Sequence, residues 1–310
     1  MQTAGAPESQ PRIWAVGGGK GGVGKSVLTS SLAIAAARRG RRCVLVDADL
    51  GGANLHTLLG QPSPRTTLAD LFRRQAAGLR EILLPTAVPN LQLVSGAGAL
   101  VDMANPHHAQ KMKIIRQLFT LEADEIFLDL GAGSSFTVLD FFLAAREAIV
   151  VVVPTPTSIE NAYHFLKAVF FRRLKQALGQ AGALRLASRA MEEKLARGIR
   201  TPRDLVNDIR SSNPAAGAAI AAAIRDLAPR LVVNQVRREE EMQLAAQMTE
   251  ACRDFFGLEV TCLGGIRHDD KVLSAIQMRR PVQLAFPQCA FAAAVDGLVG
   301  RLLDSQGGMP

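Results

Sequence analysis

The sequence predicts an α/β fold: a doubly wound, mostly parallel sheet with helices on both faces, carrying a helical insertion. Three observations predict it. Short runs of Val, Ile and Leu alternate with helix-length stretches along the chain, the pattern of a parallel sheet buried on both sides. The first run leads into a glycine-rich turn, Gly19-Lys20-Gly21-Gly22-Val23-Gly24-Lys25-Ser26, that opens a helix. Acidic residues then close two later runs, at the carboxyl ends of strands, where sheets of this kind bind ligands.

In chain order, strands are expected at Ile13 to Val16, Cys43 to Val46, Leu91 to Val94, Glu125 to Leu128, Ala148 to Val153, Leu231 to Val233 and Leu258 to Leu263. Each is an aliphatic run too short for a helix. Helices are expected at Lys25 to Arg39, Leu68 to Arg73, Ala109 to Phe119, Phe136 to Arg146, Ile159 to about Leu178, Glu240 to Phe256 and Phe291 to Leu303. Thr157-x-x-Glu160 reads as a capping box that opens the long fifth helix. Between residues 170 and 230 the punctuation changes to short capped helices: Ser188 to Arg197, then Thr201-Pro202 through Arg210, then Asn213-Pro214 to Leu227. The expected organisation is a polar tail over 1–11, one phosphate-loop domain over 12–304 with a basic helical insertion at about 170–230, and a tail over 305–310.

The glycine-rich turn is the strongest chemical signal. Glycines let successive backbone N–H groups converge on phosphate oxygens while the helix presents its positive end, so Gly19 to Val27 form the expected binding loop. Lys25 is placed to reach β- and γ-phosphates, and Ser26 to ligate Mg²⁺. Asp47 and Asp49 follow the second strand, and Asp129-Leu-Gly131-Ala-Gly133 follows the fourth. Paired acids beside such a loop hold Mg²⁺ and orient an attacking water, and a strand-end Asp-x-x-Gly senses a γ-phosphate through a glycine amide. Asp47, Asp49 and Asp129 are thus the candidate acids for these tasks, with Lys25 as a catalytic and Ser26 as a metal-binding residue.

With the extra Lys20 in the loop, the Asp47-x-Asp49 element and Asp129-Leu-Gly-Ala-Gly133, the chain resembles the deviant Walker A ATPases of the MinD/ParA class. Within that class it is most similar to the flagellar-number regulators FlhG and FleN, through Asp49-Leu-Gly-Gly-Ala-Asn54-Leu, Leu59-Gly60, Pro156-Thr-Ser-Ile-Glu-Asn-Ala-Tyr163, Lys167 and Arg279-Arg-Pro-Val282. The resemblance spans nearly the whole chain except 170–230. It implies that ATP and Mg²⁺ are bound, that Lys20 reaches the phosphates of a second copy in an ATP-dependent homodimer, and that Asn234 recognises adenine. It also implies metal roles for Asp47 and Asp129, and catalytic roles for Asp129 and for Asp49, which positions the hydrolytic water. An activating or positioned protein partner is also implied. No Asn-Lys-x-Asp element for guanine is present. The chain departs from its relatives at His56, where an acid is usual, at Thr155, where Glu is usual, and at Ile266-Arg267, which replaces Ile-Pro.

Composition narrows the alternatives. The 310 residues are 48% hydrophobic and 21% charged, as in an ordinary globular chain, and the longest aliphatic run, Ala148 to Val153, is too short to span a bilayer. With no apolar leader in Met1 to Pro11, the expected compartment is the cytosol. Four cysteines lie far apart without a Cys-x-x-Cys pair, which argues against an iron–sulfur carrier of the Mrp type, and they are expected to be buried. Tyr163 is the only tyrosine, which argues against a tyrosine autokinase. Between 170 and 230 twelve Lys and Arg face five Asp and Glu, against 24 and 23 elsewhere, so nearly all the net charge of +8 sits in the insertion. Such a surface suits a DNA backbone, anionic lipid or an acidic partner, and makes a ParA-type cargo ATPase on non-specific DNA the alternative reading. Phe291 to Leu303 is amphipathic but carries little charge, so it is expected to be a core helix rather than a lipid anchor.

Overall fold

The structure is a computed structural model and describes residues 10–98, 108–185, 193 and 198–304. Eight strands form one sheet: β1 (Arg12–Gly17), β2 (Cys43–Ala48), β3 (Leu84–Pro85), β4 (Leu91–Val94), β5 (Glu125–Leu130), β6 (Glu147–Val152), β7 (Arg230–Val236) and β8 (Thr261–Arg267). Their order is β3-β4-β2-β5-β1-β6-β7-β8. Every pairing is parallel except β3 with β4 at the edge. The chain leaves β1 toward β2 on one side and returns to β6 on the other, so the switch in strand order, and the crevice it creates, lies at the carboxyl end of β1.

Alternation along β1 shows how the layers form. Ile13 and Ala15 point into one core, and Trp14 and Val16 into the other. The second core is closed by α1 (Lys25–Arg38) and by α12 (Ala290–Asp304), whose Phe291, Val295, Leu298, Val299 and Leu302 are buried. The last helix is therefore a core helix, as its sparse charge predicts. The first core is covered by α3 (Leu68–Phe72), α4 (His108–Leu118), α5 (Phe136–Ala144), α6 (Pro156–Gln180) and α9 (Gln243–Phe256). Three short helices, α2 (Leu55–Leu58), α10 (Asp270–Gln277) and α11 (Val282–Ala285), complete the set around the switch point.

Several boundaries differ from expectation for identifiable reasons. The long helix α6 starts at Pro156 with Thr155 as its cap residue, because proline at the first helical position needs no N–H partner; the Thr157-x-x-Glu160 box is already inside the helix. That helix runs to Gln180, close to the expected end near Leu178, and so takes in the first part of the 170–230 segment. Strand β8 occupies Thr261–Arg267 rather than Leu258 to Leu263: Leu258 and Val260 are buried before the strand begins, and Gly264-Gly265 lies inside it. Glu239–Met242 form a 3₁₀ turn ahead of α9. Cys43 and Cys252 are buried, whereas Cys262 and Cys289 are only partly so.

Within the 170–230 segment, α7 (Pro202–Ser212) and α8 (Pro214–Arg225) form where the caps place them. The Thr201 hydroxyl accepts from Asp204 N–H at 3.1 Å, and Asn213 Oδ1 accepts from Ala216 N–H at 3.0 Å. Leu205 and Ile209 of α7, with Ala216, Ile220 and Ile224 of α8, join the first core. The expected helix from Ser188 to Arg197 lies outside the described residues, apart from Glu193.

Candidate nucleotide site

The carboxyl ends of β1, β2, β5, β7 and β8 surround a cavity of about 600 Å³, with Gly21, Gly22, Gly24, Lys25, Ser26 and Val27 on one side and Asn234, Gln235 and α10 on the other. Gly22 and Gly24 have φ of 80° and 91°, left-handed values that turn the loop back toward the start of α1. Gly19 is needed for a different reason, since a Cβ there would overlap the backbone carbonyl of Asn161 on α6. Gly19→Ala is expected to displace the loop and lower the melting temperature by several degrees, because the added methyl group has no room against α6. Thermal denaturation of the variant beside wild type checks it.

The two loop lysines have different surroundings. Lys25 is 7% exposed, and its Nζ donates to the Lys20 carbonyl at 3.1 Å. Burial pushes its ammonium below the usual lysine range, while Asp129 and then Asp49 oppose that shift. Lys20 is exposed and outside the cavity lining, with Nζ donating to Thr157 Oγ1 at 3.0 Å. Val23 is buried and anchors the turn between them.

The acids form a graded set. Asp47 and Asp129 are register partners across β2 and β5. Asp47 is fully buried; Oδ2 accepts from Leu55 N–H at 3.0 Å, and Oδ1 has no hydrogen-bond partner. Asp129 is 1% exposed and accepts from the Thr29 hydroxyl at 3.3 Å, with Ser26 as a second donor. Burial first, and mutual repulsion after it, push Asp47 up to about 7, and burial pushes Asp129 up to about 6. Asp49 instead faces the cavity, with Oδ1 accepting from Gly52 N–H at 3.1 Å. Gly131 makes room for it, since a Cβ there would stand 2.9 Å from Asp49 Oδ1. The loop after β5 is tied to the phosphate loop by Gly133 N–H donating to the Gly18 carbonyl at 3.3 Å.

A pH effect follows from the raised pair. The folded chain keeps protons on Asp47 and Asp129 that the unfolded chain releases near pH 4, so the native state binds more protons between about pH 4 and 7. Stability of the nucleotide-free protein should therefore fall as pH rises through that window. Urea midpoints at pH 5 and pH 7.5 should show a smaller drop in Asp47→Asn than in wild type; equal drops would contradict the assignment.

The structure brings Gly21, Gly22, Gly24, Lys25, Ser26, Val27, Asp49 and Asn234 to one cavity, places Asp47 and Asp129 in the buried layer behind it, and leaves Gly19, Lys20 and Val23 off its lining. Sequence reasoning missed the opposite wall, formed by Gln235, His268 and the apolar residues Val272, Leu273 and Ile276 of α10. The available signal was Asp269, which caps α10 by accepting from Lys271 N–H at 2.9 Å, followed by apolar residues at helical spacing.

A profile described as the CobQ/CobB/MinD/ParA nucleotide binding domain matches residues 14–282. The chain belongs to that family. It is 30% identical over 293 residues to the antiactivator FleN of Pseudomonas aeruginosa, a match covering 94% of this chain and 86% of that one. It is 30% identical over 155 residues to the flagellum site-determining protein YlxH of Helicobacter pylori, covering 49% and 52% of the two chains. Among solved structures, the septum site-determining protein MinD complexed with Mg-ADP from Pyrococcus horikoshii OT3 superposes with a TM-score of 0.64 at 21% identity, covering 96% of this chain and 98% of that one. A ParA family ATPase from Chlorobium tepidum TLS gives 0.63 at 15% identity, covering 94% and 99%. These superpositions establish the MinD/ParA type of P-loop fold.

Proposed function

We propose that this member of the CobQ/CobB/MinD/ParA family is an ATP-dependent dimerising switch that hydrolyses ATP and regulates the position or number of a cellular structure, such as flagella. The observation that carries the reading is the division of labour between two lysines on one loop. Lys25 is buried in the site, and Lys20 is exposed outside the cavity of its own copy, held by a single surface hydroxyl that a second copy's phosphates could replace. The similarity to FleN and YlxH supports a site- or number-determining role.

The residues present fit a Mg²⁺–nucleotide. Asp47 Oδ1 is buried and orphaned, and Asp47 and Asp129 are pushed toward neutrality, so the pocket of carboxylates favours a cation. Ser26, Asp47 and Asp129 would hold Mg²⁺, which supplies charge neutralisation to the phosphates when bound. Lys25 and the loop amides would bind the β- and γ-phosphates. Asp49, accessible from the cavity, would orient the attacking water, and the Gly131–Gly133 loop would register the γ-phosphate and pass its state to the phosphate loop through the Gly133–Gly18 bond. Lys20 of a second copy would meet the charge that develops in transfer. Two copies donating the same lysine to each other form an isologous two-fold contact.

Light scattering tests the reading: mass should double with Mg²⁺–ATP and return to the monomer value with Mg²⁺–ADP. A monomer at saturating ATP with hydrolysis blocked would overturn it. The activating or positioned protein would bind the dimer, localising it in the cytoplasm to a pole, membrane surface or nucleoid. Among the described residues, no helix is long and apolar enough to cross a membrane.

The charge of the 170–230 segment favours a second reading, a ParA-type ATPase that holds non-specific DNA. Part of that charge is used internally: Arg172 chelates Asp140 at 2.8 and 3.0 Å, Arg230 pairs with Glu147 at 2.9 Å, and Arg173 donates to the Ala223 carbonyl at 3.2 Å. Arg200, Arg203, Arg210 and Arg225 remain exposed. Filter binding should then show ATP-dependent retention of DNA that falls steeply between 50 and 200 mM salt; its absence removes this reading.

A further inference from the structure

We propose that the outer surface of α4, α5 and α6 around Phe136 and Arg172 is a docking site for an acidic segment of a partner protein, one that carries an apolar side chain among its carboxylates. Phe136 opens α5 and is 65% exposed, the most exposed large apolar side chain among the described residues. A single apolar residue at a surface is ordinary. What surrounds this one is not.

The guanidinium of Arg172, on α6, lies over the Phe136 ring, 4.9 Å from its centre. Asp140 of α5 fixes the same guanidinium, accepting from Nε at 2.8 Å and from Nη2 at 3.0 Å, while Nη1 has no hydrogen-bond partner among the described residues. Lys111 of α4 also donates to Asp140, at 2.8 Å. One carboxylate therefore faces two cations, with Asp140 and Lys111 both buried, and the cluster keeps one uncompensated positive charge. Holding such a charge away from water is costly until a counter-charge arrives. A carboxylate from a partner supplies it.

The sign persists around the cluster. Lys113 and Arg116 on α4 are exposed, as is Lys175, which stands one turn beyond Arg172 on α6. Helix α4 carries no acid, and α6 carries none after Glu160. An aromatic ring and a pre-held arginine at the centre, with cations at the rim, is the composition of a protein-interface hot spot. Other occupants fit less well. A DNA backbone has nothing apolar with which to cover the ring, and a bilayer calls for several large apolar side chains, whereas Phe136 is the only exposed one on these three helices among the described residues. A second copy would bring the same positive face against itself. The patch is also remote from the proposed two-copy contact, since Arg172 lies about 22 Å along α6 from Thr157, which holds Lys20.

Its place in the chain gives the site a use. Phe136 directly follows the loop after β5, whose Gly133 N–H donates to the Gly18 carbonyl and whose Ser135 caps α5 by accepting from Val138 N–H at 3.4 Å. A partner seated on Phe136 grips the far end of the loop that touches the phosphate loop. The surface itself needs no nucleotide, so its test uses the nucleotide-free protein and stands or falls apart from the ATPase reading.

The test selects a phage-displayed random peptide library on wild type, counter-selects it on Phe136→Ser, and measures binding of the surviving peptides to wild type, Phe136→Ser and Lys175→Glu. Both changes are at exposed positions, so the melting temperatures should match wild type. Survivors should carry Asp or Glu on both sides of an aromatic or aliphatic residue. Phe136→Ser should weaken them about thirtyfold, and Lys175→Glu several-fold with a shallower dependence on salt. An absence of survivors, survivors without acids, or full affinity in Lys175→Glu would overturn the proposal. Duplex DNA, or vesicles of phosphatidylcholine and phosphatidylglycerol, bound by wild type and released by Phe136→Ser would also overturn it and assign the face to nucleic acid or membrane. A wild-type dimer that Phe136→Ser reduces to monomer would overturn it in favour of a second copy.

Discussion

Lys20→Ala is expected to retain ATP with near wild-type affinity yet lose dimerisation and nearly all hydrolysis. In the single copy, the Lys20 ammonium donates to the exposed Thr157 hydroxyl, at 3.0 Å, and does not line the cavity. Removing it takes nothing from the loop amides or from Lys25, so the binding of nucleotide to one copy should hardly change. Its expected effect is in the assembled pair, where a cation supplied from outside stabilises the charge of phosphoryl transfer. Cations supplied in trans in other phosphate-loop enzymes are worth about 10³–10⁵ in rate. Phosphate release, ATP affinity and scattering mass measured together distinguish the outcomes. A Lys20→Ala protein that hydrolyses ATP at the wild-type rate would show that the lysine has no such role. Weakened ATP binding with a normal rate per bound nucleotide would place it in its own copy's site.

Asp49→Ala should do the reverse and trap the ATP-bound dimer. Asp49 is the cavity-facing member of the three acids, whereas Asp47 and Asp129 are buried behind it. Its Oδ1 accepts from Gly52 N–H at 3.1 Å, and Gly131 leaves space beside it. Losing a positioned base or water-orienting group costs about 10²–10⁴ in rate, and nothing in that loss weakens phosphate binding. Removing a negative charge close to the phosphates should, if anything, tighten it. Scattering should therefore report a persistent dimer with Mg²⁺–ATP, and a pull-down with this variant should retain partners that dissociate from wild type. Asp49→Ala protein that stays monomeric with saturating ATP would contradict the sandwich arrangement.

Elements whose burial pattern is local were legible in the sequence. Ile13 to Val16 and the other short aliphatic runs formed strands because a strand covered on both faces needs continuous apolar residues, and the phosphate loop was legible because its chemistry demands contiguous glycines. Helices α7 and α8 were found from Thr201-Pro202 and Asn213-Pro214, where cap and proline coincide. What escaped depended on distant partners. The two-residue strand β3 exists only because β4 offers it an antiparallel edge. Strand β8 contains Gly264-Gly265, which carries no strand signal of its own, and it is specified by pairing with β7. At the site, Asp47, Asp49 and Asp129 could be named, but which of them would be buried could not, because that depends on the β2–β5 register. The hold of Asn234 on Val23 joins residues 211 positions apart, beyond any local pattern.

The way α7 and α8 are built into the fold constrains what they can be used for. Because α7 and α8 share the first core with α6 and α9, through Leu205, Ile209, Ile220 and Ile224, they are not a tethered module that could be cut out or grafted without opening the hydrophobic interior. Whatever grips their outer surface is held at a fixed angle to the ATPase body, as a tool is by its handle. A change in pairing between two copies would then reorient bound cargo directly, with no slack to take up first.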